Sequence, residues 1–473
     1  MPKKFMNLDK INKIHFIGIG GIGLSALAKM MVLLGKKVSG SDLLSSAITE
    51  RLRAQGAKIS IGHQASNLPK NVDLAVYSAA VPLNNIEILE TKKLKVPLLS
   101  YAELLGQISV GKKTVAVTGT NGKTTTTGIL GKVLIDCGLD PMLLIGGQLK
   151  QIDGNFHLGQ GKYFVTEADE YKATMLKIKP WSVLLTSIEK DHLDFYKDLP
   201  DIIRHFQLFI DKIPAGGQLF YNADDRNVTK IVLPPLAFGC SLKNPSDYMA
   251  KNIIISKGQY HFNVYNKKKF LGDFTLPIPG QYNILNSLMV IGFCHQLGID
   301  LGKVNQSLAN FGGLWRRFEV LGQLKNAADV TVVSDYTHHP SAIKKTLKAA
   351  KEFFPVRRLF LVYQPHQHDR TRKLYRSFLS CFNKADFIIL QEIYDVAGRK
   401  YQSDKAITSK SLVNDIVKTG NKKRSAIVYS PDFPATKKLI YQNVLPGDLL
   451  LIMGAGDLDD LARTIYVRTA KKN

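Results

Sequence analysis

The sequence has 473 residues, 45% of them hydrophobic, and this length and composition predict a folded globular protein of about three domains rather than a disordered or fibrous chain. The 64 Lys and Arg residues outnumber the 39 Asp and Glu residues, and the net charge of +25 favours phosphate-bearing partners, although a solvated basic surface explains it equally well. The four cysteines form no CxxC pair, so neither a zinc site nor a disulfide framework is indicated. No apolar run reaches the roughly 18 residues of a membrane span, and we expect a soluble, cytoplasmic protein with no membrane partner.

The first predicted domain, residues 1–107, begins with a strand, a glycine-rich turn and a helix. KIHFIGIG is typical of a buried strand, LSALAKMMVLLG of a helix closed by a glycine, and KKVSGSD of the next strand. A later strand, DLAVYSAAV, ends in small and polar residues. This order predicts a βαβ unit with parallel strands.

The glycines of that turn match a dinucleotide-binding pattern. Gly18, Gly20 and Gly23 fit GxGxxG, with Gly21 added, and Asp42 follows about 20 residues later. Glycine lets the backbone approach a diphosphate closely. On this pattern alone, a nicotinamide-dependent oxidoreductase and a purely structural tight turn are both open alternatives.

The second predicted domain, residues 108–314, repeats the strand–turn–helix order. KTVAVTG is the predicted strand, TNGK the turn, and TTTTGILGKVLIDCG the helix. We expect further strands at KYFVTEAD and WSVLLTSIEKDHLDF, and a turn and helix within PIPGQYNILNSLMVIGFCHQLG. Ligands of such sheets bind at the carboxyl ends of the strands.

The turn of this domain has the residue types of a phosphate-binding loop. Gly119 and Gly122 let main-chain N–H groups surround phosphates, Lys123 supplies a positive charge, and Thr124 offers a hydroxyl to Mg²⁺. The spacing is shorter than the standard one, because Val117 stands where the first glycine belongs. The strand–turn–helix context predicts a site for a nucleoside triphosphate.

Two further side chains are candidates for the same edge of the sheet. Glu167 in TEADEY and His192 in SIEKDHLDFY each follow an apolar strand, so both could reach Mg²⁺ from neighbouring strand ends. One histidine is an unusual but admissible Mg²⁺ ligand. Without the loop, His192 would be interpreted as a hydrogen-bonded structural histidine.

The third predicted domain, residues 315–473, also alternates strands with helices. The predicted strands are VTVVSDY, RRLFLVYQP, DFIILQEIY and GDLLLIMGAG, and the predicted helices are HPSAIKKTLKAAKEFF, TRKLYRSFLSCFN and DLDDLARTIYV. The whole chain is therefore predicted to be an α/β protein of three domains with mostly parallel, doubly wound sheets.

Eight motifs occur in an order that resembles the Mur ligase family, the ATP-dependent amide ligases of peptidoglycan precursor synthesis. They are HFIGIGGIG with GSD, GTNGKTTTT, EADEY, IEKDHLD, GQYNILN, RRFE, DYTHHP and QPHQHDRTR. The resemblance implies a Rossmann-like UDP-binding domain, a central P-loop ATPase-type domain and a Rossmann-like C-terminal domain. It also implies that the protein joins L-alanine to the lactyl carboxylate of UDP-N-acetylmuramate, with ATP and Mg²⁺, through an acyl phosphate.

The resemblance also implies roles for individual residues. The catalytic residues would be Lys123, Glu167, His192 and Arg317, and the Mg²⁺ ligands Thr124, Glu167 and His192. ATP would be bound by Gly119, Thr120, Asn121, Gly122, Lys123, Thr124, Thr125, Asn283, Asn286, Arg317 and Asp335. The UDP-sugar would face Gly20, Gly21, Ile22, Gly23, Asp42 and Ser78, and the acceptor and sugar-acid surface would include His338, His339, His366 and Arg370.

Several positions depart from the members that add alanine. Those members usually carry histidine at Asn121, asparagine at Ser187, histidine at Tyr282, aspartate at Ser334, glycine at Thr337 and arginine at Gln367. Sister ligases often have Asn121, so ATP binding stays expected. Because Thr337 and Gln367 fall on the acceptor side, a member that adds a recycled peptide to the same sugar is the nearest alternative.

Two broader expectations complete the sequence-based prediction. A non-catalytic nucleic-acid binder would explain the net charge alone and lacks base-stacking aromatic motifs, so we expect no nucleic-acid partner. We expect a monomer or a weak dimer.

Overall fold

The computed structural model describes residues 8–152, 154–193, 195–394 and 407–467. The chain divides into two compact units. One comprises Met1–Asn252, Phe262–Phe274 and Leu285–Phe311, and the other comprises Ile253–His261, Thr275–Ile284 and Gly312–Asn473. No helix in the described ranges is long and apolar enough to cross a membrane.

Helices and strands alternate along most of the chain, which confirms the predicted α/β class. The helices α1 to α14 are Ile22–Leu33, Ala47–Ala54, Ile86–Lys93, Tyr101–Ile108, Lys123–Asp136, Leu199–Ile210, Gln281–Gln296, Leu301–Ala309, Pro340–Phe353, His368–Lys373, Tyr375–Cys381, Ser409–Lys418, Phe433–Asn443 and Leu458–Ile465. The strands β1 to β22 are Lys13–Ile17, Lys37–Asp42, Lys58–Ile61, Leu74–Tyr77, Leu98–Ser100, Lys113–Thr118, Met142–Leu149, Gly154–His157, Tyr163–Glu167, Ser182–Leu185, Gln218–Asn222, Ala237–Ser241, Tyr248–Ser256, Gln259–Asn266, Lys269–Leu276, Glu319–Leu324, Thr331–Asp335, Leu359–Tyr363, Phe387–Gln391, Ile427–Ser430, Leu449–Met453 and Tyr466–Val467.

The first sheet is parallel throughout and has the strand order β3-β2-β1-β4-β5. The chain order reverses between β1 and β4, which makes the carboxyl end of β1 the point where such sheets bind ligands. The predicted glycine turn lies there, directly before α1. The first βαβ unit is therefore confirmed.

The second sheet has ten strands in the order β15-β14-β13-β12-β11-β10-β6-β9-β7-β8. Strand β6 is central and pairs in parallel with β9 and β10, so the ends of three strands meet beside the loop that follows β6. The strands β13 to β15 were not predicted. The predicted strand from Trp181 to Phe195 is too long, because β10 ends at Leu185 and the next residues bond to the neighbouring loop instead.

The third sheet has the order β20-β19-β18-β21-β17-β16-β22. Every residue of β17, β18, β19 and β21 is buried, as expected for parallel strands covered by helices on both faces. Strand β16 pairs antiparallel both with β17 and with the edge strand β22. The single helix predicted over TRKLYRSFLSCFN is wrong, because α10 ends at Lys373 and α11 begins at Tyr375.

Candidate active site

The loop between β6 and α5 has the geometry of an anion site. Gly119 and Gly122 have φ values of 132° and 88°, which a side chain would strain, and Gly122 directly precedes the helix. The amide groups and dipole of a helix N-terminus attract phosphate. Lys123 begins the helix, and its Nζ donates to the Gly119 carbonyl at 2.7 Å, so the ammonium lies against the loop.

Two groups of carboxylates flank Lys123. The Glu170 carboxylate accepts from Nζ of Lys123 at 2.7 Å, and Asp169 lies 3.9 Å from the same nitrogen. On the other side of the cluster, Oγ1 of Thr124 donates to Oε2 of Glu167 at 3.1 Å, and the amide of Gly146 donates to Oε1 at 2.6 Å. The loop lysine and hydroxyl therefore lie beside three acidic residues.

The structure brings the predicted metal ligands to two neighbouring places. Thr124 and Glu167 are in contact, whereas Nε2 of His192 lies 3.7 Å from Glu170. One ligand atom from each of Asp169, Glu170 and His192 lies within 4.8 Å of the others. Mg²⁺ prefers carboxylate and hydroxyl oxygens as ligands, so the oxygens of this donor set fit that ion, and the single histidine is an unusual but admissible addition.

The carboxylates around Lys123 favour the charged form of its side chain. Burial opposes the charged form of Lys123, but Glu170, Asp169 and Glu167 more than offset this and raise the pKa of the lysine. The ammonium is therefore charged at neutral pH and available to phosphate oxygens.

Asp169 and Glu170 were not predicted as site residues. They follow β9 directly, in the same TEADEY stretch that gave Glu167, and adjacent acids at a strand end were the available signal. The Tyr196 hydroxyl donates to the Glu170 carbonyl and helps to hold this turn. The sequence alone did not show that Glu170 turns inward, where only 4% of its side chain is exposed.

Asn121 provides a test of whether the loop suits an anion. Its side-chain Nδ2 is buried and has no hydrogen-bond partner among the described residues. A buried donor without an acceptor is unfavourable, and a phosphate oxygen would satisfy it. The loop residues therefore fit a nucleoside triphosphate.

The two asparagines predicted to bind ATP, Asn283 and Asn286, are both buried. A Cβ added to Gly122 would lie 3.2 Å from the side-chain amide of Asn286, so Asn286 packs on the phosphate loop. Asn283 belongs to the other unit, where its Nδ2 donates to the Pro279 carbonyl at 2.7 Å. The structure thus places Asn286 beside the loop.

The glycine turn after β1 forms the second candidate binding region. Oδ2 of Asp42 accepts from the amide of Gly20 at 2.7 Å, and Oδ1 accepts from the amide of Leu43 at 2.8 Å. Gly18 has a φ of 79°, and a Cβ added there would lie 3.1 Å from that of Ser78. Gly20, Asp42 and Ser78, predicted to face the UDP-sugar, therefore lie around one turn.

A buried polar cluster lies behind this turn, and the sequence did not predict it. Glu87 on α3 is fully buried and accepts from Nε2 of His15 at 2.9 Å, from the Ser41 hydroxyl at 2.7 Å and from Nδ2 of Asn67 at 2.9 Å. Nδ1 of His63 lies 3.1 Å away. Burial alone would raise the pKa of Glu87, but these hydrogen bonds lower it to about 2. Glu87 therefore ties β1, β2 and α3 together.

In the second unit, Asp335 organises the turn that carries Arg317. Its carboxylate accepts from the amides of Phe318 and Thr337, each at 2.7 Å. The Arg317 guanidinium lies 5.1 Å from the ring centroid of Tyr336, a cation–π distance. Asp335 is thus bonded to backbone on both sides and fixes the backbone beside Arg317.

Three of the four predicted acceptor-side residues cluster after β17 and β18. The rings of His338 and His366 are 6.0 Å apart, and Nη1 of Arg370 donates to Nδ1 of His366 at 3.2 Å. His339 differs from them, because its side chain caps the N-terminus of α9 by accepting from the amide of Ser341. That contact gives His339 a structural role in this unit.

Four of the six departures from the alanine-adding pattern lie near another departure. The amide of Asn121 donates to the Ser187 hydroxyl at 3.0 Å. Tyr282 and Thr337 both contact Thr346, the first through a side-chain hydrogen bond and the second with hydroxyl oxygens 3.4 Å apart. Asn121 and Ser187 are thus in direct contact, whereas Tyr282 and Thr337 share Thr346 as a neighbour.

Comparison with known proteins assigns the family. The family model described as "Mur ligase family, catalytic domain" matches residues 13–113, "Mur ligase middle domain" matches 117–294, and "Mur ligase, glutamate ligase domain" matches 316–456. The chain belongs to the Mur ligase family. The three-domain α/β architecture expected from the motifs is that of this family, whose members use ATP.

Individual Mur ligases resemble this chain along nearly its full length. The UDP-N-acetylmuramate–L-alanine ligase of Clostridium kluyveri is 41% identical over 455 residues, which cover 95% of this chain and 96% of that protein. The crystal structure of the UDP-N-acetylmuramate–alanine ligase of Thermotoga maritima matches with a TM-score of 0.81 and 28% identity, covering 96% and 97% of the two chains. A murein peptide ligase from Psychrobacter arcticus matches with a TM-score of 0.70 and 25% identity, covering 96% and 98%.

Proposed function

We propose that this Mur ligase joins L-alanine to the lactyl carboxylate of UDP-N-acetylmuramate, with ATP as the energy source, in the cytoplasmic synthesis of peptidoglycan precursors. The observation that carries the proposal is the loop after β6, where Lys123 and Thr124 lie beside Glu167, Asp169 and Glu170. Full-length similarity to ligases named for this reaction supports the choice of substrates.

The reaction requires activation because a carboxylate oxygen is a poor leaving group. A carboxylate oxygen of the sugar acid attacks the γ-phosphorus of ATP, the bond to the bridging oxygen breaks, and ADP leaves. The neutral amine of alanine then attacks the carbonyl carbon of the acyl phosphate, the carbon–oxygen bond breaks, and inorganic phosphate leaves. The amine loses its proton to solvent or a nearby base, so one amide forms for each ATP consumed.

The residues around the loop divide this work. Lys123 binds phosphate oxygens and neutralises the negative charge that grows on the transferring group. Thr124, Glu167 and His192 would hold Mg²⁺, with Asp169 and Glu170 beside them, and the bound ion would supply further charge neutralisation. Asn121 offers its buried Nδ2 to a phosphate oxygen.

The other predicted regions bind the remaining substrates in this proposal. Gly20, Gly21, Ile22, Gly23, Asp42 and Ser78 form the UDP-sugar region, in which Asp42 fixes the glycine turn. His338, His366 and Arg370 form the acceptor and sugar-acid region. We also propose domain boundaries near residues 107 and 314. The protein is further proposed to be a monomer or weak dimer that binds neither nucleic acid nor membrane.

The proposal is tested by product formation. The purified protein is mixed with ATP, Mg²⁺, UDP-N-acetylmuramate and one acceptor at a time: L-alanine, glycine, L-serine or a peptidoglycan tripeptide. We expect phosphate release and a product mass equal to the sugar nucleotide plus alanine minus water. Turnover with the tripeptide and none with alanine would instead assign a peptide ligase. Oxidation or reduction of a nicotinamide cofactor without ATP hydrolysis would overturn the ligase assignment.

A further inference from the structure

The end of β10 is bonded to the phosphate loop by both main chain and side chains. The amide of Thr120 donates to the Ser187 carbonyl at 2.8 Å, and the amide of Glu189 donates to the Thr120 hydroxyl at 2.9 Å. These bonds hold one side of the loop against the residues that leave the sheet after Leu185. The loop is therefore supported by a neighbouring strand end as well as by its own helix.

Two hydroxyls bond to the main chain of Asn121, one to its N–H group and one to its carbonyl oxygen. Oγ of Ser187 accepts from the Asn121 amide at 3.0 Å, and Oγ1 of Thr186 donates to the Asn121 carbonyl at 2.5 Å. Oγ1 of Thr186 also lies 3.1 Å from the Thr118 carbonyl at the end of β6. Both hydroxyl residues are buried, with relative exposures of 4% for Thr186 and 7% for Ser187.

Close packing leaves the loop little room to move away from these hydroxyls. A Cβ added to Gly119 would lie 2.8 Å from the amide nitrogen of Ser187, which is closer than side-chain carbons approach other atoms. Gly119 also has a φ of 132°, which strains other residues. Its carbonyl in turn accepts from Nζ of Lys123 at 2.7 Å, so a shift of the loop would shift the Lys123 ammonium.

We propose that Thr186 and Ser187 are positioning residues that hold the main-chain N–H and C=O groups of Asn121 and thereby fix the phosphate loop for ATP. This inference rests on the proposed ATP-dependent function. The two hydroxyls do not need to touch the nucleotide. If the hydroxyl acceptor is removed, the buried Asn121 N–H group has no hydrogen-bond partner in this loop conformation, which becomes less favourable. The loop then samples other positions, in which its N–H donors no longer face the phosphates.

The chain offers a matched control at the start of β10, the strand that precedes Thr186 and Ser187. Oγ of Ser182, at the opposite end of β10, accepts from the amide of Gln218 at 3.2 Å, and Ser182 is fully buried. Ser182→Ala and Ser187→Ala therefore each remove a buried hydroxyl that accepts a hydrogen bond from a main-chain amide. They differ in whether that amide belongs to the phosphate loop.

The test measures the Kd for ADP with Mg²⁺ by calorimetry and the KM for ATP in the ligation assay, for the full-length protein. We expect Ser187→Ala to raise both roughly tenfold, with the KM for the UDP-sugar changed less than twofold. Ser187→Thr, which keeps a hydroxyl, is expected to restore both to within about threefold of the parent. Ser182→Ala is expected to leave them within about twofold.

Thermal unfolding of each variant provides the check on folding, and Thr186→Val provides a second route to the same answer if Ser187→Ala does not fold. Thr186→Val keeps the shape and removes the donor to the Asn121 carbonyl, so we expect weaker ATP binding there as well. Parental affinity in both hydroxyl-free variants, or an equal loss in Ser182→Ala, would overturn the inference. A parent protein that binds no ADP would instead refute the proposed function.

Discussion

The glycine turn after β1 and the phosphate loop after β6 both join a parallel strand to the N-terminus of a helix, yet opposite charges lie against their backbones. In the first turn the Asp42 carboxylate accepts from the amide of Gly20 at 2.7 Å. In the second the Lys123 ammonium donates to the Gly119 carbonyl at 2.7 Å. A carboxylate accepts hydrogen bonds from sugar hydroxyls, whereas an ammonium binds phosphate oxygens. We therefore expect the side chains at each turn, rather than the shared strand–turn–helix backbone, to select the ligand.

The two turns also differ in what lies behind them. A fully buried carboxylate, Glu87, gathers His15, Ser41 and Asn67 behind the first turn. Two hydroxyls, those of Thr186 and Ser187, bond directly to the backbone of the second. The comparison predicts that variants near each turn affect one ligand and spare the other.

The largest expected effect is that of Lys123→Ala. We expect turnover to fall by about 10²- to 10³-fold or more, because the variant loses the charge that stabilises the transferring phosphoryl group. Binding of the UDP-sugar, measured by calorimetry, should stay within about twofold. Lys113→Ala at the start of β6 is the control, since that lysine lies over the Trp181 ring at 4.5 Å at the opposite end of the strand. Near-parental ligation by Lys123→Ala would refute the loop assignment.

The second-largest effect is expected for Glu170→Gln, which keeps the charge of Lys123 and changes only the group that positions it. Glu170→Gln removes the carboxylate that lies 2.7 Å from the lysine and keeps the side-chain shape. We expect kcat to fall roughly 10- to 100-fold, because a close charge partner contributes to the placement of the ammonium and of the metal ligands. Steady-state kinetics at saturating ATP and Mg²⁺ give the measurement. An unchanged kcat would show that Glu170 only shields the lysine in the absence of nucleotide.

Asp42→Asn tests the first turn in the same way. We expect the Kd for the UDP-sugar to rise roughly tenfold, because the variant weakens the charge-assisted bond to the Gly20 amide. The KM for ATP should be unaffected. Asp73→Asn is a matched control, since Oδ2 of Asp73 accepts from the amides of Asn12 and Lys13 at the start of β1, at the other edge of the same sheet. Equal losses in both variants would indicate a general destabilisation of the sheet.

The fold was more predictable from sequence than the site. Apolar runs such as LFLVY and LLLIM predict buried parallel strands, because strands covered on both faces have nearly continuous apolar sequences. The glycines indicated both turns, with Lys123 as an additional signal for the second, and the TEADEY stretch indicated Glu167. The inward position of Glu170 and the bonds of Thr186 and Ser187 could not be predicted, since they depend on where β10 ends and on contacts between residues distant in sequence.

Replacing Glu87 is expected to have the smallest effect on the reaction and to act mainly on folding stability. Glu87→Gln leaves buried partners with a poorer acceptor, so the free energy of unfolding in urea at pH 7 should fall by about 1–3 kcal/mol. Because hydrogen bonds hold the pKa of Glu87 at about 2, below its usual 4.5, its carboxylate stabilises the fold above pH 4.5 and loses that effect as the pH falls toward 2. The difference between parent and variant should therefore shrink at pH 3. Glu90→Gln on the same helix, a partly exposed partner of Lys93, controls for helix effects. If the difference in free energy of unfolding between parent and Glu87→Gln does not change with pH, the ionised Glu87 carboxylate does not stabilise the fold, and its proposed role behind the first turn is wrong.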